Sequence, residues 1–234
     1  MKKIAFILLS LSLVGCGTYV TKEEFAPNMY KDHPQTIVVL PPMNKSTSAE
    51  AKEYYTTTIA EPLTQSGYYV YPLEVVNDVL KQEGLYDTET MLAVPPQKFR
   101  EFFGADAVLY LTILQWNTSY MITSGSVTVK VAYELKSTHT GDVIWFYDDA
   151  VTINTSGDSG NMGGWAGLLA QVVTTAIKTA ATDYVPVARQ ANEKILLAIP
   201  FGKYHKQYNA DMKERVEKKE ALKPVGEKPK KGPS

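Results

Sequence analysis

The chain has 234 residues, 44% of them apolar and 21% charged, which suits one globular domain with tails and leaves enough apolar side chains for a core. Its single cysteine, Cys16, excludes an internal disulfide, a thiolate metal cluster and a CxxC redox pair. The net charge of −1 is unevenly spread: residues 17–202 hold 12 Lys/Arg against 20 Asp/Glu, whereas residues 203–234 hold 10 against 5, an acidic body with a basic tail.

Residues 1–15 read as a signal peptide. Lys2 and Lys3 precede an apolar run of 11 residues, IAFILLSLSLV, too short to cross a bilayer as a helix, which takes roughly 20 residues. Leu13-Val14-Gly15-Cys16 resembles a bacterial lipobox, in which the chain is cut between Gly15 and Cys16 and the thiol is acylated. The resemblance implies acyl chains, palmitate among them, on Cys16. Several chains hold a protein far more firmly than a single myristoyl group. Gly17 follows the cysteine, not the aspartate that favours inner-membrane retention in such lipoproteins. The resemblance therefore implies the outer membrane, with the domain facing the periplasm.

Residues 16–35 are polar, carry Pro27 and Pro34, and read as a lipidated tether. An α/β domain is expected over residues 36–202. TIVVL, from Thr36, is a short buried strand closed by Pro41-Pro42. Thr47 and Glu50 have the spacing of a capping box, and Ala51, Tyr55, Ile59 and Leu63 give the next helix an apolar stripe that ends at Gly67. Pro62 falls in its last turn. A second short strand spans 68–71. Pro72 opens a helix through Leu73, Val76 and Leu80 that stops at Gly84, and a short helix is expected over 97–103.

Three longer strands follow. AVLYLTILQW (107–116) is apolar enough to be central. Val127, Val129, Val131, Tyr133 and Leu135 alternate with polar residues, so one face is buried and the other wet. Thr140-Gly141-Asp142 makes the turn into a strand over 143–153. Residues 165–184 and 187–199 read as helices, the first as a buried amphipathic helix because Gln171, Lys178 and Asp183 interrupt it. The expected fold is α/β: a mixed sheet with two short N-terminal strands and a three-strand antiparallel meander, helices packed mainly on one face. Residues 203–234 form a basic tail, its last third expected to be disordered.

Motifs for catalysis fail on their surroundings. GDSG (157–160) invites a serine-hydrolase reading with Ser159 as nucleophile, but it continues Asn-Met-Gly-Gly, and nothing brings His33, His139 or His205 to Ser159 as a base. Lys45 before Ser46-Thr47 lacks the glycines of a phosphate-binding loop. No spacing suggests a metal or cofactor site. Asp148-Asp149 reads as a solvated pair on a strand. The basic tail reads first as a solubilising spacer, with anionic wall polymer or lipid head groups as envelope partners and no nucleic acid. Trp116, Tyr120, Met121 and Ile122 at the first meander junction, with Trp165 in the Gly-rich loop, are candidate partner contacts.

In order, the lipobox, TIVVLPPMNKS, GADAVLYLTILQW and TGDVIWF resemble a family of bacterial outer-membrane lipoproteins typified by a neisserial genome-derived antigen. That family is similar in architecture to the TolB N-terminal domain and to the curli-secretion lipoprotein CsgG. The resemblance implies a non-enzymatic adaptor or assembly component acting with other envelope lipoproteins in a CsgG-like complex. The alternative it leaves open is a periplasmic regulator of cell-wall synthesis, with a Ser159 hydrolase the weaker reading.

Overall fold

In the computed structural model, which describes residues 18–120, 125–154 and 184–218, strand β2 (Thr36–Val39) lies inside a mixed sheet. It pairs in parallel with β4 (Tyr69–Val70) on one side and with β5 (Ala107–Tyr120) on the other. A two-residue strand, β3 (Met43–Asn44), extends the parallel pairing along β5. Antiparallel β6 (Gly125–Ser137) and β7 (Val143–Asn154) complete the order β4-β2-β5-β6-β7. The expected meander is present. Gly141 turns it with φ +85, a conformation that favours glycine.

Every position of β2 is apolar or β-branched because both of its faces are covered. Ile37 and Val39 join one cluster with Ala51 and Tyr55 of helix α3 (Ala51–Thr58), Leu63 of α4 (Ala60–Gln65) and Ile59 between the two, and with Val187, Ala188 and Ile195 of a helix, Val185–Leu196, that comes late in the chain. Val38 and Leu40 join a second cluster, with Val76 and Leu80 of α5 (Leu73–Gln82), Met91 of α6 (Thr88–Ala93) and Phe99 of α7 (Pro96–Phe103). Helices therefore cover one face of the meander, as expected, but both faces of its parallel neighbours. On β6 the polar set Thr128, Lys130, Glu134 and Lys136 stays half-buried, with Lys136 Nζ 4.7 Å above the Tyr110 ring.

The apolar stripe of α3 and α4 is fully buried, yet the helix is interrupted at Ile59. Pro62 explains the break: it has no N–H for the Thr58 carbonyl and its ring crowds that turn. The Thr47–Glu50 capping box does not form. Glu50 is itself helical, and its carboxylate accepts the Tyr54 hydroxyl at 2.8 Å. Helix α6, which periodicity alone did not suggest, starts at Asp87, whose side chain accepts the Thr90 N–H at 2.7 Å.

A buried polar chain ties the layers. The Tyr133 hydroxyl of β6 donates to Asn192 Oδ1, Asn192 Nδ2 donates to Thr58 Oγ1 at 2.8 Å, and Thr58 Oγ1 donates to the Tyr54 carbonyl at 2.8 Å. Asn192 lies on the late helix, which is α8, so one amide fixes α8 against both α3 and the sheet.

Two expected boundaries are corrected. The tether over 16–35 is folded from Thr18 onward: β1 (Thr18–Thr21), α1 (Lys22–Phe25) and α2 (Pro27–Asp32). Thr21 and Glu24 form a reciprocal capping box, and Pro27 opens a helix where a linker was expected. Phe25 meets the Tyr147 ring edge-on at 5.8 Å, and Met29 is buried in the first cluster. The tail over 203–234 is likewise folded as far as Lys218, ending in β8 (Arg215–Lys218). Residues 219–234 lie outside the described residues.

Candidate functional site

The features nearest the expected lipid site gather around β1 and β8. Cys16, Gly15 and the signal peptide fall outside the described residues, and the structure begins two residues after Cys16, at Thr18. From there β1 pairs antiparallel with β8 in the register Thr18↔Lys218, Tyr19↔Glu217, Val20↔Val216, Thr21↔Arg215. Val216 turns into the first cluster, while Tyr19 is 52% exposed with the Arg215 guanidinium 5.4 Å from its ring centre. The ribbon continues by main-chain bonds from Lys22 N–H to the Glu214 carbonyl (2.8 Å) and from Glu23 N–H to the Met212 carbonyl (3.1 Å).

A buried ion pair fastens this ribbon to the body. Lys22 Nζ sits 3.2 Å from Asp211 Oδ2 and 3.1 Å from Glu214 Oε2, and 4.5 Å above the Phe201 ring. Asp211 is fully buried, and its Oδ2 also accepts the Phe201 N–H at 2.8 Å. The Tyr30 hydroxyl is buried beside it: burial first, and then the Asp211 carboxylate, push that phenol well above its usual range. Tyr68 completes the wall, donating its hydroxyl to the Pro200 carbonyl at 2.6 Å. His33, at φ +48 where α2 ends, is 2.7 Å through Nδ1 from the Tyr208 hydroxyl.

Two glycines allow the C-terminal segment to lie this close. Gly202 N–H donates to the Ser66 carbonyl at 2.8 Å, and Tyr204 N–H to the Gly67 carbonyl at 3.0 Å. A Cβ on Gly202 would lie 2.4 Å from the Gly67 carbonyl oxygen.

A second polar node joins the starts of β2 and β5. Asp106 Oδ2 accepts from Gln35 N–H (3.0 Å), Thr36 N–H (3.1 Å) and the Thr36 hydroxyl (3.0 Å). Its Oδ1 lies 3.6 Å from Arg100 and 3.5 Å from His139. Burial raises the Asp106 carboxyl, but the bonds from Gln35 and Thr36 outweigh it and hold the group below its ordinary value. A depressed carboxylate stabilises the fold above its unfolded pKa, about 3.9, and that stability is lost as pH falls through the folded value. Asp106→Asn is therefore expected to cost about 1–2 kcal/mol near neutral pH. In urea titrations the gap to the parent should narrow below about pH 4; a gap independent of pH would refute this role.

The structure separates the other sequence candidates. Trp116 is 4% exposed and is corrected from partner contact to core: its ring packs against Tyr54, Tyr55 and Tyr184 at 5.5–6.1 Å. Tyr120 ends β5, whereas Met121, Ile122, Ser159 and Trp165 lie outside the described residues. Asp148 is buried rather than solvated. The three histidines stand apart: His33 against Tyr208, His139 against Arg100 at 2.7 Å, and His205 stacked on Phe201 at 3.7 Å. Among the described residues no group of three or more His, Cys, Asp or Glu could hold a metal ion, and no helix is long and apolar enough to cross a membrane.

Residues 27–202 match the family described as "Putative lipoprotein GNA1162-like". The chain belongs to this GNA1162-like lipoprotein family. The like-named NMB1124/NMB1162 protein of Neisseria meningitidis serogroup B is 31% identical over 173 residues, which are 74% of this chain and 79% of that protein. The crystal structure of lipoprotein GNA1162 from Neisseria meningitidis has a TM-score of 0.50 to this chain at 31% identity, covering 63% of this chain and 100% of the other. The mixed α/β architecture is thus that of a GNA1162-like lipoprotein. The Lys22–Asp211 pair and the β1–β8 ribbon both fall outside the matched residues 27–202. Sequence reasoning missed this pair because its partners are 189 residues apart, and the only local signal was the Thr21–Glu24 box.

Proposed function

We propose that the chain is an outer-membrane lipoprotein, acylated at Cys16, whose domain acts as a non-enzymatic adaptor for another envelope protein on the periplasmic side. The observation that carries this reading is the placement of β1. Only Gly17 separates Cys16 from Thr18, so β1 begins within about 7 Å of the backbone of the residue proposed to carry lipid. The strand is in turn fastened to the body by β8 and the Lys22–Asp211 pair. An anchor so coupled gives the domain a defined standing on the bilayer, which suits presentation of one surface to a fixed partner better than capture at the end of a long tether. Tyr120, Met121, Ile122 and Trp165 remain the candidate contacts; Trp116 is withdrawn because it is interior.

The test is made in cells. Cys16→Ala is expected to remove the acyl mass and release the protein from outer-membrane fractions, with loss of partner crosslinks. A Cys16→Ala protein that is exported, still crosslinks to the same partner and supports the same envelope phenotype would overturn the requirement for the anchor. A lipidated protein that crosslinks to nothing would overturn the adaptor role alone.

A further inference from the structure

We propose that the outer edge of β7, over residues 148–154, takes an extended, basic segment of another protein as an added strand. The inference deepens the adaptor reading, on which it rests, by naming the chemistry of the partner's contact. β7 ends the sheet order, and among the described residues no strand pairs its outer side. Its register fixes which main-chain groups point there. In an antiparallel pair, facing residues alternate between those that bond each other and those whose N–H and C=O turn away. Ser137 N–H bonds the Asp142 carbonyl at 2.9 Å, which places the bonded positions of β6 at odd numbers. Thr128↔Thr152, Lys130↔Ala150 and Ala132↔Asp148 are then pairs of the other kind. Two contacts agree. The Thr128 and Thr152 hydroxyls meet at 3.0 Å, and Ala150 N–H turns to the Asp149 carboxylate at 2.6 Å rather than to β6. Asp148, Ala150 and Thr152 therefore aim their main chain outward, and Ala150 and Thr152 are exposed. Toward the other end α2 closes the edge, where Asn28 Nδ2 donates to the Val143 carbonyl at 3.5 Å.

Charge at this edge selects the occupant. The Tyr147 phenol is pushed up to about 12, first by burial and then by the Asp149, Glu217 and Asp148 carboxylates, three acidic groups around one ring. Lys130, opposite Ala150 on β6, offsets part of that charge. A second copy is disfavoured, because β7 paired with itself about Ala150 would bring two Asp148-Asp149 pairs together. Charged residues on an edge strand guard against such self-pairing. Asp149 does so at the main chain itself, by holding the Ala150 donor. A strand that brings a carbonyl to Ala150 N–H displaces this carboxylate, and a lysine or arginine on that strand then pairs with it. Main-chain bonds supply the affinity of an added strand, and its side-chain positions supply the selectivity.

The test uses the full chain, isotope-labelled for amide spectra, and two end-blocked peptides, TVTKVTV and TVTEVTV. The lysine peptide should bind about ten-fold more tightly than the glutamate peptide, since attraction replaces repulsion at an exposed site. It should shift the amide signals of residues 148–154 first. Asp149→Asn keeps an acceptor for the Ala150 N–H and removes the charge, so the gap should shrink to about two-fold. Salt at about 0.5 M should shrink it likewise. Thr152→Pro removes an outward N–H that β6 does not use, so the amide spectrum away from β7 should hold while both peptides lose binding by about ten-fold or more. Equal affinity for the two peptides, no binding up to about 1 mM, or shifts confined to other strands overturn the proposal. So does a dimer that Thr152→Pro dissolves, which makes a second copy the occupant. In cells, partner crosslinks that survive Thr152→Pro overturn this contact and leave the adaptor reading in place. No crosslinks at all, with the lysine peptide still seated on 148–154, remove the adaptor reading and leave the edge as a strand-binding site.

Discussion

Lys22→Met is expected to lower stability by about 3–5 kcal/mol, the usual consequence of removing one partner from a buried ion pair. Methionine keeps much of the side-chain stem that lies against Phe201 but takes away the charge. Asp211, fully buried, then keeps only the Phe201 N–H on Oδ2 and the Tyr30 hydroxyl as a neighbour. Glu214 is of no help to it, being a second carboxylate. For a domain of this size the midpoint should fall by roughly 10 °C. Lys22→Met/Asp211→Asn should recover a large part of the loss, since no uncompensated charge is left inside. Asp211→Asn alone should cost less than Lys22→Met, because Lys22 keeps half-exposed Glu214. Chemical denaturation of the four proteins gives the cycle. A Lys22→Met change below about 1 kcal/mol would show that the pair does not hold the ribbon.

The second large effect is expected at Gly67. Its φ of +88 is a conformation L side chains rarely adopt, and an added Cβ would lie 2.4 Å from His205 N and 2.8 Å from the Gly202 carbonyl oxygen. Those are backbone atoms that cannot swing aside. Gly67→Ala thus combines left-handed strain of about 1–2 kcal/mol with forced separation of α4 from the 202–205 turn, for a total above about 3 kcal/mol. Gly84→Ala is the control. Gly84 has φ +80 but nothing within 4 Å of its virtual Cβ, so only the strain remains. Thermal unfolding should rank Gly67→Ala well below Gly84→Ala, and equal losses would mean that the close approach contributes nothing.

Period-two alternation in β6 placed its buried face correctly, and the continuous apolar run of β2 marked a buried strand but not that helices cover it on both sides. What that run did not reveal was where its second cover comes from, since α6 is short and depends on one Asp87 cap. The proline signals were ambiguous for a physical reason: Pro27 begins a helix and Pro34 lies between helix and strand, yet both suit a linker. The segments 18–32 and 203–218 are held chiefly by each other and by the body, so neither has a periodicity that a local reading can use. Trp116 shows the same limit from the other direction. A tryptophan near a strand end can be core or contact, and only Tyr54, Tyr55 and Tyr184, distant in sequence, decide it.

Pairing Thr18 with Lys218 also has a consequence for the order of assembly. A strand of four residues closing a loop of about 200 residues on its own would face roughly 5 kcal/mol of closure entropy. The body must therefore fold first and bring the two ends together, after which the ribbon adds over a short effective loop. A chain synthesised from its N-terminus makes β1 early and leaves it waiting until residue 218 has followed. The ribbon should accordingly be the last part of the domain to gain protection from hydrogen exchange and the first to lose it, so the pairing that fastens β1 to the body is both the latest structure formed and the easiest to undo.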